Sequence, residues 1–274
     1  MSRSVAEKAN TAVAVMYDDL EALDQPEFSR DEIAVPRIKV AQPLSPAMDK
    51  KSSEFIKGLE AGDFFNSVTG QFWKGEADGI YVVVAAYRTT YTEWVPRKKG
   101  GGLVADRSEE EGIAEYWRSI FKKDSEGRTR AMTPEGNELI RSAEYYVLIV
   151  NLNEGSFQEA VLTFGGTQTK KSRKWNTIIT SRRLKRSDGT SFAPLPCAFL
   201  YHLTTAGESN DEGNWYGVNP NIANLPGNEQ GEVLRLPEGK AIYTAAKTLR
   251  EMVQSGQKRA AVDVPEEDKS EIPF

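Results

Sequence analysis

The chain has 274 residues, a formal net charge of −5 and 39% hydrophobic residues. That length supports one large domain or two small ones with a real hydrophobic core. No apolar run approaches the roughly 18 residues of a membrane span, and Met1–Asn10 is polar, so neither membrane insertion nor a secretory leader is expected. A single cysteine, Cys197, excludes an internal disulfide and fits a reducing cytoplasm.

Taken in order, Val5, Ala9, Ala12, Val13, Met16, Leu20 and Leu23 recur at helical spacing, which predicts an amphipathic helix ended by Gln25-Pro26. Residues 1–32 are read as an N-terminal helical arm. Val35–Gln42 reads as a first strand, and Phe64–Trp73 as a hairpin around Thr69-Gly70. Gly79–Pro96 is long and rich in β-branched and aromatic residues, the pattern of a bent strand that turns a barrel corner. A charged stretch at about 98–137 reads as an insertion carrying one short helix near Glu110–Phe121. Tyr145–Leu152 and Gln158–Phe164 flank Asn153-Glu154-Gly155-Ser156, a hairpin signal. Lys170–Arg183 is expected to be helical, with Trp175, Ile178 and Ile179 as its apolar stripe. Late strands are expected over Phe192–Thr205 and Asn214–Val218, then a helix over Lys240–Gln254. The pattern predicts a mainly β chain with added helices (α+β), an elaborated OB-type barrel over 33–253, and a flexible acidic tail over 254–274.

Net acidity does not exclude nucleic acid, because local charge decides that question. From Lys170 to Arg186 eight cations occur without an acid: Lys170, Lys171, Arg173, Lys174, Arg182, Arg183, Lys185 and Arg186. A solvated helix face carries mixed signs, whereas a run of one sign is the footprint of phosphate binding. Along the long strand, Tyr81, Tyr87 and Tyr91 share one parity, and Arg88 and Trp94 share the other. The run Arg97, Lys98, Lys99 follows. Single-stranded nucleic acid is bound by this mixture, with bases stacked on rings and cations along the phosphates. The expected DNA-binding set is therefore Lys170, Lys171, Arg173, Lys174, Trp175, Arg182, Arg183, Arg88, Tyr91, Trp94, Arg97, Lys98 and Lys99. Strands also favour aromatics in the core, so part of this set is expected to face inward.

Gly165-Gly166-Thr167-Gln168-Thr169-Lys170-Lys171-Ser172 is close to a P-loop, but Lys170 stands where the second glycine belongs. The side chain would hinder the backbone from wrapping a phosphate, so an ATPase is disfavoured. Cys197 and His202, the lone histidine, are five apart in an expected strand and so are placed on opposite faces. That disfavours a Cys-His pair, and two such residues cannot make a zinc site. No catalytic residue, metal or cofactor is expected, although a metal-dependent nuclease stays open because spacing alone does not exclude one.

The sequence ends in Glu271-Ile272-Pro273-Phe274, after Asp263, Glu266, Glu267 and Asp268, with Lys269 as an interruption. Pro273 keeps these residues extended. Phe274 joins a ring to the terminal carboxylate, a handle for a basic-rimmed apolar pocket on another protein. This tip resembles that of bacterial single-stranded DNA-binding proteins. The body resembles tailed-phage single-stranded DNA-binding proteins at Val35-Pro36-Arg37-Ile38-Lys39-Val40, Gly62-Asp63-Phe64, Trp94-Val95-Pro96-Arg97 and Lys170–Asn176. The resemblance implies a phage protein of the host cytoplasm. It also implies sequence-tolerant binding of single-stranded DNA during replication or recombination, with replication or recombination proteins recruited by the tip. Self-association is left open. The alternatives are an adaptor or transcription cofactor that binds a polymerase, and the nuclease.

Overall fold

A computed structural model describes residues 35–76, 78–96, 99–100, 102–107, 109–123, 129–210 and 213–258, all within the unit Ala34–Phe274. The expected N-terminal helix, Arg97, Lys98 and the tail from residue 259 lie outside the described residues. In chain order the elements are β1 (Arg37–Val40), β2 (Phe64–Asn66), β3 (Phe72–Trp73), β4 (Ile80–Trp94), β5 (Leu103–Arg107), α1 (Glu109–Arg118), β6 (Ile120–Lys123), β7 (Thr129–Met132), β8 (Glu138–Val150) and β9 (Phe157–Phe164). There follow α2 (Thr169–Ser181), β10 (Leu184–Lys185), β11 (Ser191–Phe192), β12 (Leu200–Asn210), β13 (Gly213–Ile222) and α3 (Gly239–Gln254).

The chain is mostly β. Its main sheet runs β13-β12-β4-β8-β9-β1-β2-β3, with β5 added to β4 and the β6–β7 hairpin added to β8. The β4-β8-β9 meander is followed by helix α2, and β12 then pairs antiparallel with β4 and with β13. That order is compatible with an OB-like α+β arrangement, with β1 laid parallel on β9 as an extra strand. The sheet curls into a half-barrel whose far strands approach each other. The Gln42 side chain donates to the Tyr216 carbonyl (3.0 Å) and accepts from the Tyr216 amide (2.8 Å). Thr205 Oγ1 donates to the Gly62 carbonyl (2.7 Å), and the Thr205 amide donates to Gly75 (3.0 Å). A Cβ on Gly75 would fall 1.9 Å from the Gly62 oxygen, so this approach requires glycine.

Strand β4 bends as its composition implies, by a register shift between Val84 and Ala86. The shift also reverses the parity of everything after it. Ile80, Val82 and Val84 line one core with Trp175, whereas Val83, Ala85 and Ala86 line the other. Beyond the shift, Tyr87 packs edge-on against Tyr145 of the first core, while Tyr81 packs on the second. The shared parity expected for Tyr81, Tyr87 and Tyr91 is therefore broken by one bulged residue.

Helix α2 covers the first face with Trp175, Ile178 and Ile179. Helix α3 covers the second with Ile242, Ala246, Leu249 and Val253. The late strand starts at Leu200 and not at Phe192, because Pro194 and Pro196 break the ladder and a 3-10 turn spans Pro196–Ala198. Cys197 lies in that turn, buried, with its thiol pushed up by burial, so strand parity does not govern its relation to His202. The charged stretch holds β5, β6 and β7 besides its helix, which begins at Glu109 and ends at Arg118.

The arm made by β4, β5, β7 and β8 depends on one buried carboxylate. Glu93 is 2% exposed and ion-pairs with Arg107, and it accepts from Asn137 Nδ2 at 2.7 Å. Burial raises its pKa, but the bonds from Asn137 and Arg107 outweigh that, and the carboxyl titrates below its usual 4.5. The lowered pKa means that the folded state favours the carboxylate. Its stabilisation is present at neutral pH and is lost as the pH falls through the folded-state pKa. Glu93→Gln is expected to cost about 1–3 kcal/mol at pH 7, since Arg107 loses its charged partner. Thermal melts at neutral and acidic pH check this: the gap between variant and wild type should close in acid. A gap of constant size would show that charge is not the reason.

Candidate nucleic-acid interface

In an OB-like arrangement the outward face of the second and third strands is the usual oligonucleotide surface. Here that face is β8 and β9, and its Tyr146, Leu148, Val150 and Val161 are buried in one core with the apolar side of α3. The strand face is thus closed, and the exposed cations of α2 become the candidate surface.

Helix α2 is held to the sheet by a buried clamp. Tyr145 Oη meets Ser172 Oγ at 2.8 Å and donates to Asn176 Oδ1 at 2.8 Å. Burial pushes the Tyr145 hydroxyl pKa well above its usual value, so it remains a neutral hydrogen-bonding group. Ser172 is 3% exposed, so the serine that would hold magnesium in a P-loop is spent on structure. At the helix start, Gln168 makes no side-chain cap, because its Oε1 accepts from the Val218 amide (3.0 Å). No acid lies in the first turn, and Lys170 and Lys171 stand there instead. Cations at a helix N-terminus oppose the macrodipole, so this pattern weakens the helix and favours an incoming anion.

The acid-free run divides once its neighbours are seen. Lys170 and Arg173 are exposed and form no ion pair among the described residues. Lys171 Nζ lies 2.6 Å from Glu208 of β12. Lys171 holds the Glu208 carboxyl below its usual range, aided by Trp215 Nε1, which donates to it at 2.9 Å. Lys174 Nζ donates to Asn219 Oδ1 at 3.3 Å. Arg182 stacks on Phe199 (4.8 Å) and donates to Gln230, while Arg183 donates to the carbonyls of Thr180 and Arg182 (2.7 Å each). Arg183 therefore serves the helix C-terminus, where cations are stabilising, and Arg182 ties the end of α2 to Phe199 and Gln230.

Two expected ligand-facing rings are corrected to core. Trp175 is 0% exposed, stacked on Tyr145 with centroids 4.4 Å apart. Tyr91 is 4% exposed among Ala131, Leu139 and Tyr116. Both rings are already covered by protein, since one face of each strand or helix must bury its large residues. Trp94 is half-buried at the end of β4, Arg88 lies opposite Glu144 in the β4–β8 ladder, and Lys99 is exposed. An exposed ring is found at Tyr87, 42% exposed and in edge contact (5.1 Å) with Tyr145, the residue that clamps α2. Arg141 is exposed on the same arm, its Nε donating to Tyr91 Oη at 3.2 Å. Neither belongs to the set drawn from the sequence. Tyr87 is recoverable only with the bulge known, and Arg141 only with the register Tyr91↔Arg141 known.

Among the described residues, no group of three or more His, Cys, Asp or Glu is placed to hold a metal ion, and no helix is long and apolar enough to cross a membrane. A family model described as Pam3 phage gp34-like protein matches residues 5–259. No curated protein and no solved structure matches the chain.

Proposed function

Because the chain belongs to the Pam3 phage gp34-like family, we propose that it is a phage single-stranded DNA-binding protein of the host cytoplasm, acting in replication or recombination without catalysis. The observation that carries the reading is the start of α2, where Lys170 and Arg173 are exposed and unpaired among the described residues, on a helix clamped by Tyr145, which the exposed ring of Tyr87 also touches. Cations would track phosphates while Tyr87, and Trp94 farther along the arm, take bases by stacking, worth about 1–3 kcal/mol per base. Such contact is tolerant of sequence, since every base offers a ring face. In this reading the arrangement is an elaborated OB-type barrel whose strand face has been given to α3 and whose ligand contact has moved to α2.

The deciding experiment is a fluorescence titration of the protein with oligo(dT), oligo(rU) and duplex, with and without magnesium. Salt-sensitive, metal-independent binding to oligo(dT) is the expected result. Negligible oligo(dT) affinity with tight binding of a phage or host polymerase would replace the reading with an adaptor. Cleavage that requires metal would replace it with a nuclease.

The tail supplies a separate prediction. Residues 261–274 carry Asp263, Glu266, Glu267, Asp268 and Glu271 against Lys269. Deleting them is expected to raise oligo(dT) affinity, most at low salt where screening is weakest. Removing Phe274 alone is expected to abolish capture of a replication partner and leave DNA affinity nearly unchanged, because the side-chain charges remain. Weaker DNA binding after the deletion would count against competition between tail and DNA.

A further inference from the structure

We propose that the open mouth of the half-barrel, at the end where β4 and β9 begin and β8 ends, is a pocket for an uncharged nucleobase. This inference rests on the single-stranded DNA reading and extends it from phosphates to bases. The mouth is a cleft of about 730 Å³, within the size of ligand pockets and in a place where barrels hold them. Its floor is apolar, made by the buried Ile80 and Ile149.

Three rings line it at the strand ends: Trp73 on the side of Ile80 and Ile149, and Tyr81 and Phe157 in the row of Val150 on the other side of the sheet. Phe157 is 38% exposed although it begins a central strand. Tyr81 is fixed in place by a stack on His202, with centroids 4.6 Å apart and planes 14° apart. His202 is held in turn by its Nε2 against the Asp78 carbonyl, 2.6 Å away. A ring so braced is a preformed wall.

The polar lining is made chiefly of amides, with no lysine or arginine among the lining residues. Gln158 Nε2 donates to Gln71 Oε1 at 3.0 Å. Among the described residues that pairing is the one side-chain hydrogen bond of either amide, which leaves the Gln71 amino group as a donor and the Gln158 carbonyl as an acceptor. A donor and an acceptor of this kind match the edge of a base, and the ring of Trp73, on the same side of the sheet as Gln158, matches its face. Among the described lining residues a phosphate meets no cation and would face Glu154.

The test uses the full-length protein and uncharged deoxynucleosides, deoxyadenosine and thymidine, with tryptophan fluorescence as the readout at low and high salt. Saturable quenching that is unchanged by salt and lost in Trp73→Phe is expected. Phe157→Ala and Gln158→Ala should each weaken it about tenfold, the scale of one lost stacking or hydrogen-bonded contact. Gln71→Ala gives a second exposed probe of the amide pair, and thermal melts establish that each variant is folded. No saturation with either nucleoside overturns the proposal, as does saturation by a methyl glucoside alone, or quenching that disappears in Lys170→Ala/Arg173→Ala and not in the cleft variants. Oligo(dT) titrated in parallel separates the two ideas. Oligonucleotide binding without nucleoside binding overturns the pocket and leaves the function. Nucleoside binding without oligonucleotide binding supports the pocket and removes the function.

Discussion

Trp175→Ala is expected to destabilise the protein by about 3–5 kcal/mol, the cost of deleting a large aromatic from a packed core. The indole is 0% exposed and touches three rings: Tyr145 in a stack, Phe164 at 5.7 Å and Tyr201 at 5.7 Å. It is also the point at which α2 meets the sheet, so its loss loosens the helix that carries the exposed cations. Against a total stability of about 5–15 kcal/mol, such a change takes a large share. Denaturant melts should show a lower midpoint, with an unchanged slope if unfolding stays two-state. Trp175→Phe keeps part of the packing and should fall between. If Trp175→Ala kept its stability and selectively lost oligo(dT) affinity, the indole would be a base platform after all and the buried arrangement would be wrong. Among the described residues Trp175 Nε1 has no hydrogen-bond partner, so Phe at this position also removes an unsatisfied donor.

Replacing Lys170, Lys171, Arg173 and Lys174 with alanine should have the largest effect on binding. Each phosphate contact on a single strand contributes about 0.7 to the slope of log K against log salt, so four contacts contribute about 2.8. Over a fourfold rise in salt, wild-type affinity should then fall about fiftyfold more than that of the variant. The structure ranks the four. Lys170 and Arg173 are exposed, whereas Lys171 is paired with Glu208 and Lys174 bonds Asn219. Lys170→Ala/Arg173→Ala should account for most of the loss. Lys171→Ala alone should act also by releasing the Glu208 carboxylate, a negative charge next to the helix. A folded quadruple variant with the wild-type slope would remove α2 from the interface.

The sequence by itself determined the elements whose signal is local. The long strand after Gly79, the hairpin around Asn153–Ser156 and the helices ending near Arg183 and Gln254 are legible because side-chain period and turn residues act over a few neighbours. The cationic character of α2 is legible for the same reason. What only the tertiary structure decided are the relations between distant segments. One bulge between Val84 and Ala86 reversed the faces of Tyr87 and Tyr91, and a strand pattern read at period two carries no mark of an inserted residue. Trp175 fell in the core because α2 needs an anchor on the sheet, and a single ring in a basic helix reads equally as anchor or platform. Glu208 lies thirty-seven positions after Lys171, and their pairing depends on β12 passing beside α2. The closing of the β8–β9 face by α3 likewise follows from where the last helix packs, since its amphipathic stripe states that it must cover an apolar surface but not which one.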